Sequence, residues 1–186
     1  MAMMKKRLAV FDFDLTIASC EMSIFLASSS ALVDHGFGGK DRLKMLAQCF
    51  EDVRRKGVEI AVVSYNSKDV VAKALRMTNL MQYVSKGNDN NRPVVLGYEW
   101  FDENVRGGQK IPRYEKSRAI REHVMPKLGI QDAARVCFLD DSEPNIKDVR
   151  ANLPGCFALL IKEDARTVPG LTRAHCDMIL EWCSAE

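Results

Sequence analysis

No C-x-x-C pair occurs in this sequence, and none of its three histidines stands at zinc-finger spacing from any of its six cysteines. A structural zinc site of the usual four-ligand kind is therefore not expected. No apolar stretch approaches the ~20 residues of a membrane-spanning helix. Excess charge of one sign is also missing, because 27 Lys and Arg face 25 Asp and Glu, a net charge of +2. That balance gives no indication of nucleic acid or a membrane surface as partner. Neither an internal repeat nor a low-complexity tract is present. Lys5-Lys6-Arg7 stand before an apolar run as in a secretory signal, but Asp12 and Asp14 interrupt that run. Cys137 and Cys156 lie inside apolar runs, where a thiol behaves as a small hydrophobe. These absences lead to the expectation of a cytoplasmic protein in a reducing compartment.

What is present is an ordinary globular composition, 47% hydrophobic and 28% charged. A chain of 186 residues reads as one domain, 1–186, able to bury roughly 70% of its unfolded surface without disulfides. Continuous apolar runs predict buried strands at Leu8–Phe11, Val58–Val63, Arg135–Leu139 and Cys156–Ile161, with weaker signals at Tyr83-Val84 and Val94–Leu96. Helical spacing of apolar residues predicts helices over 41–56, 68–77, 114–128, 143–153 and 172–182. Glu21–Val33 is partly helical in pattern, weakened by Ser28-Ser29-Ser30, and 97–112 reads as irregular. Strands alternating with helices predict an α/β fold, a three-layer Rossmann-like parallel sheet with helices on both faces. Sites in such sheets lie at the carboxyl ends of the strands.

The polar groups gather at those ends. Asp12 and Asp14 follow the first strand, Ser64 the second, and Asp140 and Asp141 a later one. Two acids at the end of an apolar run call for a cation, and a hard divalent ion with oxygen ligands is the natural partner. Each residue also has a plainer reading. Ser64 serves either as a hydrogen-bond donor or as a helix cap, Asn66 either touches a ligand or shapes a turn, and Asp140-Asp141 also suit a helix N-terminus.

Asp12-Phe13-Asp14-Leu15-Thr16 resembles the D-x-D-x-T signature of the haloacid dehalogenase superfamily. Val62-Val63-Ser64 resembles its second motif, Lys116 falls where its third-motif lysine is expected, and Phe138-Leu139-Asp140-Asp141 resembles its fourth. The resemblance covers about residues 7–161. It implies a phosphatase that hydrolyses phosphate monoesters through an aspartyl-phosphate. Asp12 would be the nucleophile and Asp14 the general acid and base, an acid that the family's dehalogenases and P-type ATPases lack. Mg²⁺ would be held by Asp12, the Asp14 carbonyl and Asp141, with Asp140 a second acid nearby. Ser64 and Lys116, with Asn66, would hold the phosphoryl group, and Thr16 would order the turn.

Neither the interval from Asp12 to Ser64 nor that from Ser64 to Lys116 has room for a full cap domain. A minimal or absent cap is expected, with 17–40 and 86–112 as lid or substrate loops. The run from Phe138 to Val149 and Gly170-Leu171-Thr172 resemble the capless magnesium-dependent phosphatases, whereas 86–112 looks longer and the Ser/Gly-rich run 27–39 differs from that group. An open site suits a large phosphorylated partner such as a phosphoprotein, and a partner subunit could supply the lid. The alternatives are a nucleotide or polynucleotide-end phosphatase and a non-catalytic phosphate-binding scaffold. Tyr98, Trp100 and Phe101 are candidates for stacking on a substrate ring.

Overall fold

The computed structural model describes residues 6–103, 115–162 and 168–185. Five parallel strands form one sheet: β1 (Arg7–Phe11), β2 (Val58–Val63), β3 (Val95–Leu96), β4 (Val136–Asp140) and β5 (Phe157–Leu160). Their spatial order is β3-β2-β1-β4-β5, so the first strand in sequence is the central one. It pairs Phe11 with Val62 on one side and with Leu139 on the other. This register brings Asp12, Ser64, Asp140 and Asp141 to one edge.

The helices are α1 (Lys40–Arg55), α2 (Lys68–Met77), α3 (Tyr98–Glu103), α4 (Lys116–Ala119), α5 (Met125–Leu128), α6 (Glu143–Asn152) and α7 (Arg173–Ser184). A single wide turn, Ile120–Val124, joins α4 to α5 without a break. Successive strand side chains point to opposite faces, and β1 illustrates the result. Ala9 and Phe11 enter a core with α1, α2 and α7 residues such as Phe50, Leu75 and Ile179. Leu8 and Val10 enter the opposite core with Ile120, Val124, Ile146 and Val149. Both faces are therefore covered, which is why the central strands read as unbroken apolar runs.

Three expectations are corrected. Glu21–Val33 forms only short turns at Leu26–Ser28 and Leu32–Gly36. Its serines use their hydroxyls locally, Ser28 Oγ donating to the Ile24 carbonyl at 2.7 Å and Ser29 Oγ to that of Leu26 at 3.0 Å. Such bonds compete with a helical ladder. Tyr83 ends a tight turn, Leu80–Tyr83, that follows Asn79 at φ 59°, so Tyr83-Val84 is no strand. Tyr98–Glu103 is a helix where an irregular segment was expected. Residues 104–112 and Tyr114 lie outside the described residues. No described helix is long and apolar enough to cross a membrane, and all six cysteines are free thiols.

Phe50 of α1 is fully buried, with its ring centroid 4.9 Å from that of Phe11. The contact ties α1 to the strand that delivers Asp12. Replacing Phe50 with Ala should lower the unfolding free energy by about 3–5 kcal/mol in urea denaturation. A change under about 1 kcal/mol would mean that this contact does not hold the layer.

Candidate active site

Lys116 is the first residue of α4, and only 1% of its surface is exposed. Its ammonium donates to Asp12 Oδ1 at 2.5 Å and to Asp140 Oδ2 at 2.8 Å. It also lies 4.9 Å from the centroid of the Tyr65 ring. Burial alone would strip the charge from this lysine, but the two carboxylates outweigh it and hold the pKa above the usual value. Asp140 is fully buried and saturated by neighbours. It accepts from the Ser142 backbone N–H at 2.8 Å and from Asn145 Nδ2 at 3.0 and 3.1 Å.

Lys116 is held in turn through the next residue. Ser117 donates its backbone N–H and its hydroxyl to the two oxygens of Asp148, both at 2.8 Å. Asp148 lies on α6, the helix that follows Asp140-Asp141 and carries Asn145. One helix therefore fixes the acids and the lysine together.

Asp14 has separate partners. Its Oδ1 accepts from the Met22 backbone N–H at 2.7 Å, and Asn66 Nδ2 donates to both its oxygens at 3.2 and 3.0 Å. Burial pushes its pKa up, with these bonds and Lys116 pulling the other way. A carboxyl raised in this manner keeps its proton to a higher pH than an exposed aspartate. Asn66 is consumed by this task, since Nδ2 also reaches the Met22 carbonyl at 2.7 Å and Oδ1 accepts from Ser67 N–H at 2.7 Å. Its contacts are those of a residue that shapes the turn and holds Asp14. Ser64 is buried and accepts from Asn66 N–H at 3.0 Å, a turn bond rather than a helix cap, which leaves its hydroxyl proton to be donated. The cap of α2 is instead Glu99, whose carboxylate accepts from Ser67 Oγ at 2.9 Å and from Lys68 N–H at 3.1 and 3.2 Å.

The loop carrying Asp14 is strained. Leu15 sits at φ 54°, a region costly for a residue with a Cβ. Arg42 of α1 holds the loop, donating to the carbonyls of Thr16 (3.1 Å), Ile17 (2.9 Å), Phe37 (3.1 Å) and Leu171 (3.3 Å). Burial lowers its pKa to about 10, still well above neutrality. Gly170 completes the packing at φ 94°, because a Cβ there would lie 2.6 Å from the Thr16 carbonyl oxygen. Thr16 orders the turn through its carbonyl and not its side chain. Its buried hydroxyl has no partner among the described residues.

These groups open into a cavity of about 480 Å³ whose walls include Asp12, Asp14, Ser64, Lys116, Asp141 and Tyr98. Of the three aromatic candidates only Tyr98 faces it. Phe101 is buried against Tyr65, and Trp100 packs on Phe101 and His123.

Asp12, Asp140 and Asp141 can bring one oxygen each within 4.8 Å of one another. The Asp14 carboxylate is not in that group. Burial is the largest influence raising Asp12 and Asp141, and Asp140 adds to it in both. Three acids against one lysine leave negative charge in a desolvated site, which a divalent cation would neutralise. The side-chain oxygen of Asn145, buried at the wall without a partner among the described residues, is a further acceptor there. The donor set fits a hard cation.

Asn145, Asp148, Arg42 and Glu99 escaped the sequence reading. Asn145 and Asp148 had a usable signal, since they stand three apart, on one side of the helix that directly follows Asp140-Asp141. Arg42 acts through backbone groups, and Glu99 through a backbone N–H and a hydroxyl some thirty positions away, so neither leaves a pattern in a single sequence.

No protein-family model matches the sequence, and no curated protein matches it. Solved structures do match in shape. The HAD domain of effector protein Lem4 from Legionella pneumophila aligns over 97% of each chain at 16% identity with a TM-score of 0.59. The 3-deoxy-D-manno-octulosonate 8-phosphate phosphatase of Moraxella catarrhalis, in complex with magnesium ion, phosphate ion and KDO, aligns over 95% of this chain and 86% of its own at 15% identity and a TM-score of 0.50. The N-terminal, phosphatase-domain-containing part of a Bacteroides fragilis protein, complexed with Mg, aligns over 96% of this chain at 18% identity and a TM-score of 0.52. The present chain spans 40% of that last structure. These likenesses show the fold, which this chain shares with a HAD domain and with phosphatase domains of low sequence identity.

If the acids form a cation site, Mg²⁺ should displace protons as it binds, with release of protons to buffer, because burial raises the pKa of Asp12 and Asp141. Calorimetry in buffers of differing ionisation enthalpy measures that release. Asp141→Asn should weaken binding by at least ~10-fold, as expected for the loss of a ligand of a hard ion. Unchanged Mg²⁺ affinity in that variant would rule out the site.

Proposed function

We propose that this chain is a Mg²⁺-dependent phosphatase that hydrolyses phosphate monoesters through an aspartyl-phosphate on Asp12. One observation carries the reading: Asp12 is bound to a buried lysine at the open pocket, while Asp14, two residues on, is held apart by Met22 and Asn66. Two carboxylates in different surroundings suit two different tasks.

The ionised Asp12 oxygen attacks phosphorus as the ester oxygen leaves, and Asp14 gives that oxygen its proton. Asp14, now a carboxylate, takes a proton from water, which attacks the phosphorus of the aspartyl-phosphate. Phosphate departs, and both acids return to their starting forms. Lys116 offsets charge on Asp12 and on the transferring oxygens, and the Ser64 hydroxyl donates to one of them. A bound Mg²⁺ supplies charge neutralisation that lets an anion approach an anion. Asp12, Asp141 and the Asp14 carbonyl would hold it. Asp141 is favoured over Asp140 as the direct ligand because it faces the cavity, while both oxygens of Asp140 are already engaged.

The cavity suits a small monoester, the class for which the Moraxella phosphatase is named. Phosphoproteins, nucleotides and polynucleotide ends are the other arms of a substrate panel. The test begins with a generic aryl phosphate, with and without Mg²⁺. Asp12→Asn should abolish turnover, and Asp14→Asn should lower it by about 10²–10⁴-fold. Turnover retained by Asp12→Asn would contradict the nucleophile.

A further inference from the structure

A second, smaller cavity lies beside β3, the strand at one edge of the sheet. It holds about 80 Å³, and its walls include Lys68, Asn90, Arg92, His123 and Lys127. Among the described residues no carboxylate lines it. Its cations converge from three separate elements: the start of α2, the loop before β3, and α5. Lys127 is paired with Asp89 at 3.1 Å. The Lys68 ammonium and the Arg92 guanidinium have no carboxylate partner among the described residues.

His123 adds a directional donor. Its Nδ1 accepts a hydrogen bond from Trp100 Nε1–H at 3.2 Å. In the neutral ring that bond leaves the proton on Nε2. Burial, Lys127 and Lys68 all lower the pKa of this ring, and only Asp89 opposes them. Across the ring, a wider cavity of about 270 Å³ shares Lys68, Leu96, His123 and Lys127 and adds Glu99 and Glu103. Glu99 is engaged in capping α2, so its charge is turned to the helix end.

We propose that the small cavity is a subsite for one oxyanion, a phosphate or carboxylate group, separate from the acidic pocket at Asp12. The volume suits a single such group. A planar guanidinium, two ammonium groups and an imidazole N–H are the donors that recognise one. Consecutive residues line the two cavities, Ser67 the acidic pocket and Lys68 the basic one. The anion has two sources of the same chemistry: a second anionic group on a molecule seated in the main pocket, or free inorganic phosphate.

The test follows the His123 ring resonances by NMR and needs no turnover, so its outcome is independent of the phosphatase reading. Inorganic phosphate added to the wild-type protein at constant ionic strength should shift those resonances. It should also raise the His123 titration midpoint, because a bound anion favours the imidazolium. Arg92→Ala, in an exposed loop, and Lys127→Ala should each weaken the response several-fold. A His123 ring that phosphate leaves unmoved, or variants that respond like the wild type, would overturn the proposal. An alkyl monophosphonate and an alkyl bisphosphonate, neither of them hydrolysable, distinguish the sources. An Arg92-dependent gain for the bisphosphonate assigns the subsite to a second group of one ligand, and equal responses assign it to the free anion.

Discussion

A lysine ammonium buried between two carboxylates is stable only if the surrounding fold holds all three groups at hydrogen-bond distance. Lys116, Asp12 and Asp140 come from three elements, and each is positioned by its own device. Register on β1 and β4 sets the two acids level, Asn145 and the Ser142 amide fix Asp140, and Asp148 grips the helix that begins at Lys116. Removing one partner from such a cluster leaves an uncompensated buried charge, which costs several kcal/mol. The sheet order, with the first strand at the centre, is what makes the cluster possible.

The second constraint is separation. Asp14 is only two residues from Asp12, yet it is kept out of the lysine's hydrogen bonds. The kink at Leu15, the bonds from Met22 and Asn66, and the four carbonyls gathered by Arg42 together hold it there. Strain at Leu15 is tolerated because Arg42 and the close approach at Gly170 fix the backbone that follows it, at Thr16, Ile17 and Ala18. The proposed division of labour between the two acids depends on this local geometry rather than on residue type.

Much of this was legible in the sequence. The central strands were visible because a sheet covered on both faces needs unbroken apolar runs, and the acids, Ser64 and Lys116 stood where such strands end or where a known motif order places them. The structure brings all of them to one cavity, except that Asp140 sits behind its wall. Less legible was everything decided by competition among weak local preferences. Serine hydroxyls dissolved the helical pattern at 21–33, and the two-residue apolar signal at 83–84 lost to a tight turn. Asn66 was read as open between ligand and turn, and its bonds are those of the turn. Arg42 and Glu99 bind backbone groups, and backbone groups have no identity in a sequence.

The central claim is that Asp12 carries the phosphoryl group during turnover. Quenching the enzyme with borohydride during hydrolysis of an aryl phosphate reduces an acyl phosphate to an alcohol. Mass spectrometry of the peptide spanning Arg7 to Thr16 should then find homoserine at position 12 and intact Asp14. Reduction at another residue, or steady turnover with no reduced Asp12 at any quench time, would contradict the account.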